Sequence, residues 1–253
     1  MADRLFAAGY ALLAAGNRKG PKGCWETNDV ETVTALLHAW RRKHVRSSTP
    51  LFLNGPSSGG FFATEAARHW RDVRGLSVQI SVPTLDQVRP PLPSRAASYP
   101  PLQLILCQRD SGKWKDAEAL KAVLPPFELL NVLPKRVDDT FFSAAIPGLD
   151  PVLSARVRDA LVAAGHIDNA TFMVRKHPSR GSWRDPVLAA LNSGKHRLLA
   201  SSKAKKGSSS GPPLQEVMDG IFARLDLAYA YHASTCEHVD KTIAFFQRVV
   251  ENG

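Results

Sequence analysis

Gly55-Pro56-Ser57-Ser58-Gly59 is the stretch of this chain whose residue types and spacing point most directly to chemistry. A serine two residues after one glycine and two before another fits a sharp turn leading from a strand into a helix, with the hydroxyl thrown out at its apex. The flanking glycines, Gly55 and Gly59, let neighbouring backbone pass where a Cβ would clash. Such a serine is a nucleophile for acyl transfer. The helix behind it aims its partially positive N-terminus, with the Ser58 N–H in front, at an oxyanion forming on the attacked carbonyl. A plain glycine-rich loop, or a phosphate-binding turn at a helix start, is the alternative. No Lys-Ser or Lys-Thr follows as in a Walker loop, and the GxGxxG spacing of a dinucleotide site is absent.

A nucleophilic serine needs a base, and the base an orienting acid. Asp110 follows the apolar run 102–108 after Arg109, which puts it beyond the end of an expected strand. Its alternative reading is a solvated turn aspartate in Arg-Asp-Ser-Gly-Lys. Asp138 and Asp139 are weaker rivals, because no strand delivers them to the carboxyl edge of a sheet. For the base, His232 at the end of 225–232 is preferred. His238 is held in reserve, since in the first turn of a last helix its charged form meets the unfavourable end of the dipole. Cys236, between them, reads as a small packed residue rather than a nucleophile. No HxH or HExxH spacing or CxxC pair suits a metal, so neither metal nor cofactor is expected.

The elements that must position these groups follow from the apolar pattern. Short apolar runs at 9–16, 49–55, 76–82 and 102–108 read as buried strands. Between them, Asn28 with Glu31 forms a capping box ahead of Val30, Val33, Leu37 and Trp40 at helical spacing, and 61–73 is rich in helix formers. Strands alternating with helices predict an α/β fold with a mostly parallel sheet and flanking helices. Beyond Asp110 come helical stretches at 115–123 and 151–165, a strand at 171–176 and a strand at 225–232. A last helix follows, with Ser234 and Glu237 as its capping box and Val239, Ile243, Phe246 and Val250 on its apolar face. The division expected is a core of 1–110 and 225–253, with 111–224 a helical cap or lid carrying a small core of its own and a flexible loop at 200–213.

The 253 residues, 44% hydrophobic and 22% charged, suit one large domain or one with an appendage. No apolar run approaches the roughly 20 residues of a membrane helix, and no charged region precedes the first apolar stretch as in a signal peptide. Cys24, Cys107 and Cys236 are too few and too scattered for a disulfide framework, so a cytoplasmic or organellar location is expected rather than secretion. Lys and Arg (33) outnumber Asp and Glu (23), giving a formal charge of +10 that favours encounter with anionic partners. The clusters Arg41-Arg42-Lys43, Arg175-Lys176 and Lys203 to Lys206 lack a recognised motif or interleaved aromatics. They read as solvated surface, and nucleic acid is not the expected partner.

The segments GYALLAAGNRKGPKGCW, LNGPSSGGFF, LQLILCQRD and LAYAYHASTCEH together resemble an α/β-hydrolase, and more narrowly a poorly characterised plant and algal hydrolase-like group. The resemblance implies a serine esterase-like hydrolase for a small-molecule acyl substrate, with Ser57, Asp110 and His232 as triad and His238 as reserve. It also implies a strand and an HG-type loop ahead of 9–16, the loop supplying a second oxyanion N–H. About eight residues precede that run. Either the chain is shortened at its N-terminus, or 9–16 pairs directly with 50–54, or another segment fills the slot. A catalytically impaired hydrolase fold, serving as a binding or scaffold subunit for a protein or anionic partner, is the second reading.

Overall fold

The computed structural model describes residues 1–16, 23–89, 99–124, 127–193 and 213–252. Along the chain run α1 (Ala2–Ala7), α2 (Asp29–His44), β1 (Leu51–Pro56), α3 (Ser58–His69), β2 (Val73–Gln79), α4 (Leu85–Val88), β3 (Leu102–Cys107), α5 (Ser111–Lys121) and β4 (Phe127–Val132). Then come α6 (Pro151–Ala163), α7 (Arg184–Asn192), α8 (Leu214–Tyr229) and α9 (Val239–Glu251). They form two compact units, Met1–Val132 with Ser234–Gly253, and Leu133–Ala233.

The first unit is an α/β layer structure around one all-parallel sheet in the order β1-β2-β3-β4. Each strand returns to the same edge through a helix, so all four carboxyl ends lie together. β2 and β3 are covered on both faces, and side-chain alternation gives those faces different characters. Leu76, Val78, Leu102, Leu104 and Leu106 point to one side, into a core shared with Val33 and Leu37 of α2 and Ala63 and Ala66 of α3. Each wholly buried leucine there contributes about 1.5–3 kcal/mol. Ser77 and Gln103 point to the other side, where the Ser77 and Thr242 hydroxyls each donate to Gln103 Oε1 at 2.8 Å. Thr242 belongs to α9, so a buried polar peg fixes that helix across β2 and β3. Phe246 of α9 stacks on Phe52 of β1 with ring centroids 4.4 Å apart.

Several expected elements take a different form. Residues 9–16 are not a buried strand: they run without ladder pairing and are mostly exposed, with Leu13 and Ala15 leaning on the core. β4 is an edge strand where the sequence suggested cap. Its register with β3, from Leu102↔Phe127 to Cys107↔Val132, carries the first unit on to Val132, beyond the expected limit at 110. The unit resumes at Ser234 rather than 225, because 225–229 is the last stretch of α8 and not a strand. At the start of α2 the Asp29 carboxylate takes the Glu26 N–H at 2.8 Å, and Asn28 makes no side-chain cap. Ahead of α9 the Thr235 hydroxyl takes the Glu237 N–H at 3.1 Å, in place of a Ser234 capping box, and His238 is the N-cap residue.

The second unit is helical and has its own core, built from α6, α7 and α8 with Phe142, Leu161, Val187, Ile221 and Leu225 at its centre. The strand expected at 171–176 is reduced to two isolated antiparallel bridges, Arg136↔Met173 and Ile167↔Val174. Residues 200–212 of the expected flexible loop lie outside the described residues. Among the described residues no helix is long and apolar enough to cross a membrane.

Candidate functional site

Ser57 sits between β1 and α3 with φ 51° and ψ −122°, a backbone conformation that an L-residue avoids. Holding it there costs on the order of 1–3 kcal/mol. The surroundings impose it: the Ser57 N–H donates to the Gln79 carbonyl at 2.9 Å, and the Ser57 carbonyl receives the N–H groups of Gly60 at 2.9 Å and Phe61 at 3.1 Å. The turn closes on two glycines. A Cβ at Gly55 would lie 2.3 Å from the Gly59 carbonyl oxygen, and one at Gly60 would lie 2.5 Å from Val78 Cγ1 and 2.9 Å from Ser81 Cβ. Gly59, expected from the motif to be the second tight position, meets only ordinary contacts, the nearest Pro56 Cδ at 3.6 Å. Ser58 opens α3 in its first turn, where backbone N–H groups have no intrahelical acceptor and favour negative charge. The next residue beyond β2, Ile80, has φ 50°, so backbone strain occurs beyond two neighbouring strands.

Asp110 lies three residues past β3, half-buried, as the N-cap residue of α5, its carboxylate receiving the Lys113 N–H at 3.4 Å. His238 is half-buried ahead of α9, and its Nε2 donates to the Asn131 carbonyl near the end of β4 at 3.1 Å. Ser57, Asp110 and His238 are therefore drawn to the carboxyl edge of one sheet by β1, β3 and β4. His232 is exposed and belongs to the second unit, three residues past α8. No strand delivers it, because Ala230 at φ 54° ends a helix there. Asp138 and Asp139 are also in the second unit: Asp138 accepts from the Thr140 N–H at 3.0 Å and Asp139 pairs with Arg158. Cys236 is exposed rather than packed.

One constellation went unread in the sequence. In the second unit Ser179 Oγ lies 2.6 Å from His177 Nδ1, and His177 Nε2 lies 2.8 Å from Asp226 Oδ1, with Tyr229 and Tyr231 edge-on to the imidazole. The three residue types are those of a proton relay, but Nδ1 also receives the Ser179 N–H at 3.2 Å. The imidazole thus caps the turn 178–180 and ties it to α8. Its signal was the spacing His177-Pro178-Ser179, a histidine ahead of a proline that opens a turn.

A groove of about 420 Å³ runs along the outer side of β1, lined by Leu12, Trp40, Leu51, Phe52, Phe246 and Val250 among others. Arg41 pairs with Asp72 and Arg175 with Asp168, so these members of the basic clusters are engaged on the protein surface. Lys203 to Lys206 lie outside the described residues. Among the described residues no group of His, Cys, Asp and Glu is arranged to hold a metal ion. No family model, no curated protein and no solved structure matches this chain.

Proposed function

We propose that this chain is a serine hydrolase of α/β-hydrolase type that cleaves an ester or related acyl bond of a small molecule. The observation that carries the reading is the strained backbone of Ser57 at a strand-to-helix turn closed by Gly55 and Gly60. A fold keeps such a conformation where the surroundings over-determine it, and it lifts the hydroxyl clear of the sheet. Ser57 Oγ attacks the carbonyl carbon while a histidine takes its proton. The oxyanion is received by the Ser58 N–H at the positive end of α3, and the histidine returns the proton to the leaving alcohol. Water then attacks the acyl-enzyme by the same route. Asp110 stabilises the imidazolium. Of the two histidines, His238 is the base in this reading, because it shares a compact unit and a sheet edge with Ser57 and Asp110.

Fluorophosphonate labelling read by intact mass, with hydrolysis of short p-nitrophenyl esters, tests the reading. One phosphonyl group is expected on the wild type and none on Ser57→Ala. His238→Ala is expected to lower turnover by about 10²-fold or more, with His232→Ala close to wild type. A folded wild-type chain that takes no label overturns the hydrolase reading in favour of a non-catalytic binding role. A His232→Ala variant that loses turnover while His238→Ala keeps it reverses the assignment of the base.

A further inference from the structure

We infer that Gln79 is a positioning residue that sets the nucleophile turn and the base-bearing loop against each other, an inference that rests on the hydrolase reading. Gln79 ends β2 and is 3% exposed, a buried polar side chain in register with Pro56 of β1 and Ile105 of β3. Its two carbonyl groups reach in two directions. The main-chain oxygen receives the Ser57 N–H at 2.9 Å, inside the strained turn. The side-chain Oε1 receives the Thr235 N–H at 3.0 Å, from a residue 156 positions further along the chain. Thr235 is itself buried, at 8% exposure, and its hydroxyl receives the Glu237 N–H at 3.1 Å. That turn leads straight into His238. Gln79 thus holds Ser57 through its backbone and the 235–238 loop through its side chain.

The Ser77, Gln103 and Thr242 peg fixes the body of α9, but it lies four residues inside the helix from His238. The Gln79 amide anchors the start of that loop on the sheet at Thr235, and the Asn131 carbonyl of β4 holds His238 at its end. Residue 79 has to combine strand geometry, reach and an acceptor oxygen. Leucine at 79 would leave the buried Thr235 N–H without that acceptor, and the loop would shift to find water. A shift of about 1 Å in a base costs on the order of 10²-fold in rate.

The test compares Gln79→Leu and Gln79→Glu with wild type, by the second-order rate of fluorophosphonate labelling across pH and by hydrogen exchange at the Thr235 amide. Glutamate keeps an acceptor oxygen at the same reach. Gln79→Leu is expected to label on the order of 10²-fold more slowly with a flattened pH profile and to exchange Thr235 faster, whereas Gln79→Glu recovers the rate and the protection. A purely structural role lowers the melting temperature and leaves the pH profile of labelling unchanged, which would overturn the inference. So would a Thr235 amide that stays protected in Gln79→Leu. Should leucine prevent folding, Gln79→Met carries the same comparison with nearly the original length and volume. A folded wild type that never labels removes the hydrolase reading and this inference together, whatever Thr235 does. A wild type that labels, beside a Gln79→Leu that labels equally, removes the inference alone.

Discussion

A methyl group at position 60 would have to share space with Val78 and Ser81, at 2.5 and 2.9 Å, and Val78 is wholly buried with nowhere to move. Gly60→Ala is therefore expected to destabilise the chain by about 1–3 kcal/mol. Gly59→Ala, in open helix, is expected to be neutral or to stabilise by up to about 1 kcal/mol. Urea unfolding midpoints of the two variants check the contrast, which reverses if Gly59 rather than Gly60 is the tight position. The residue pattern around Ser57 was enough to locate the turn, since a turn of this kind is a local matter of glycines and a serine at fixed offsets. It named Gly59 rather than Gly60 because the closest approach at 60 comes from Val78 of β2, eighteen residues away, and spacing within the motif carries no trace of it. The preference for His232 over His238 leaned on a strand that was to deliver His232, and residues 225–229 are instead the end of a helix.

At the level of elements, α8 shows how an apolar run misleads. Residues 225–232 alternate well enough to pass for a strand, yet Val217, Met218, Ile221, Leu225 and Ala228 are the buried face of one continuous helix. The period of 3.6 emerges only when the window opens toward 214. β4 was unread for the opposite reason: half-buried, and with Glu128 and Asn131 among its six residues, it lacks the apolar density of β3. β1, α2, α5 and α6 were legible within a few residues because each is long or densely patterned. The irregular segment after Gly165 is held by isolated backbone bridges together with the side chain of Asp168. The Asp168 carboxylate receives the N–H groups of Ala170 and Thr171, the Thr171 hydroxyl, and Arg175 at 2.7 Å. The Thr171 N–H, followed by the Arg175 guanidinium, holds that carboxyl well below its ordinary value of 3.8. A carboxylate favoured in the fold adds stability above its unfolded pKa and withdraws it as pH falls below that value. Circular dichroism of Asp168→Asn is accordingly expected to show a chain weaker than wild type at neutral pH, with the difference closing below about pH 4. A constant difference across that range would show that the carboxylate charge is not what holds the turn.

Across the whole molecule, the chain builds four parallel strands in sequence, spends residues 133–233 on a separate helical unit, and returns only for the loop and helix that cover the second face of the sheet. The α/β character was legible because strand and helix signals alternate from 49 onward. The limits of the excursion were not, since they depend on which strand pairs last. This order also means that the histidine beside Asn131 in space stands 107 positions from it in sequence, and it reaches the end of β4 only after the helical unit has been traversed. Ser57 then bears on the molecule's total stability, for its backbone is strained whether or not a substrate is present. Alanine at 57 keeps the Cβ and so keeps the strain, whereas glycine is free to adopt this φ and ψ. Ser57→Gly is expected to raise the melting temperature by about 2–4 °C, a net gain of about 1 kcal/mol, with Ser57→Ala near wild type. Such a gain on deleting one hydroxymethyl group would mean that selection has kept a serine where thermostability alone favours glycine, the signature of a residue retained for what it does rather than for how the chain folds.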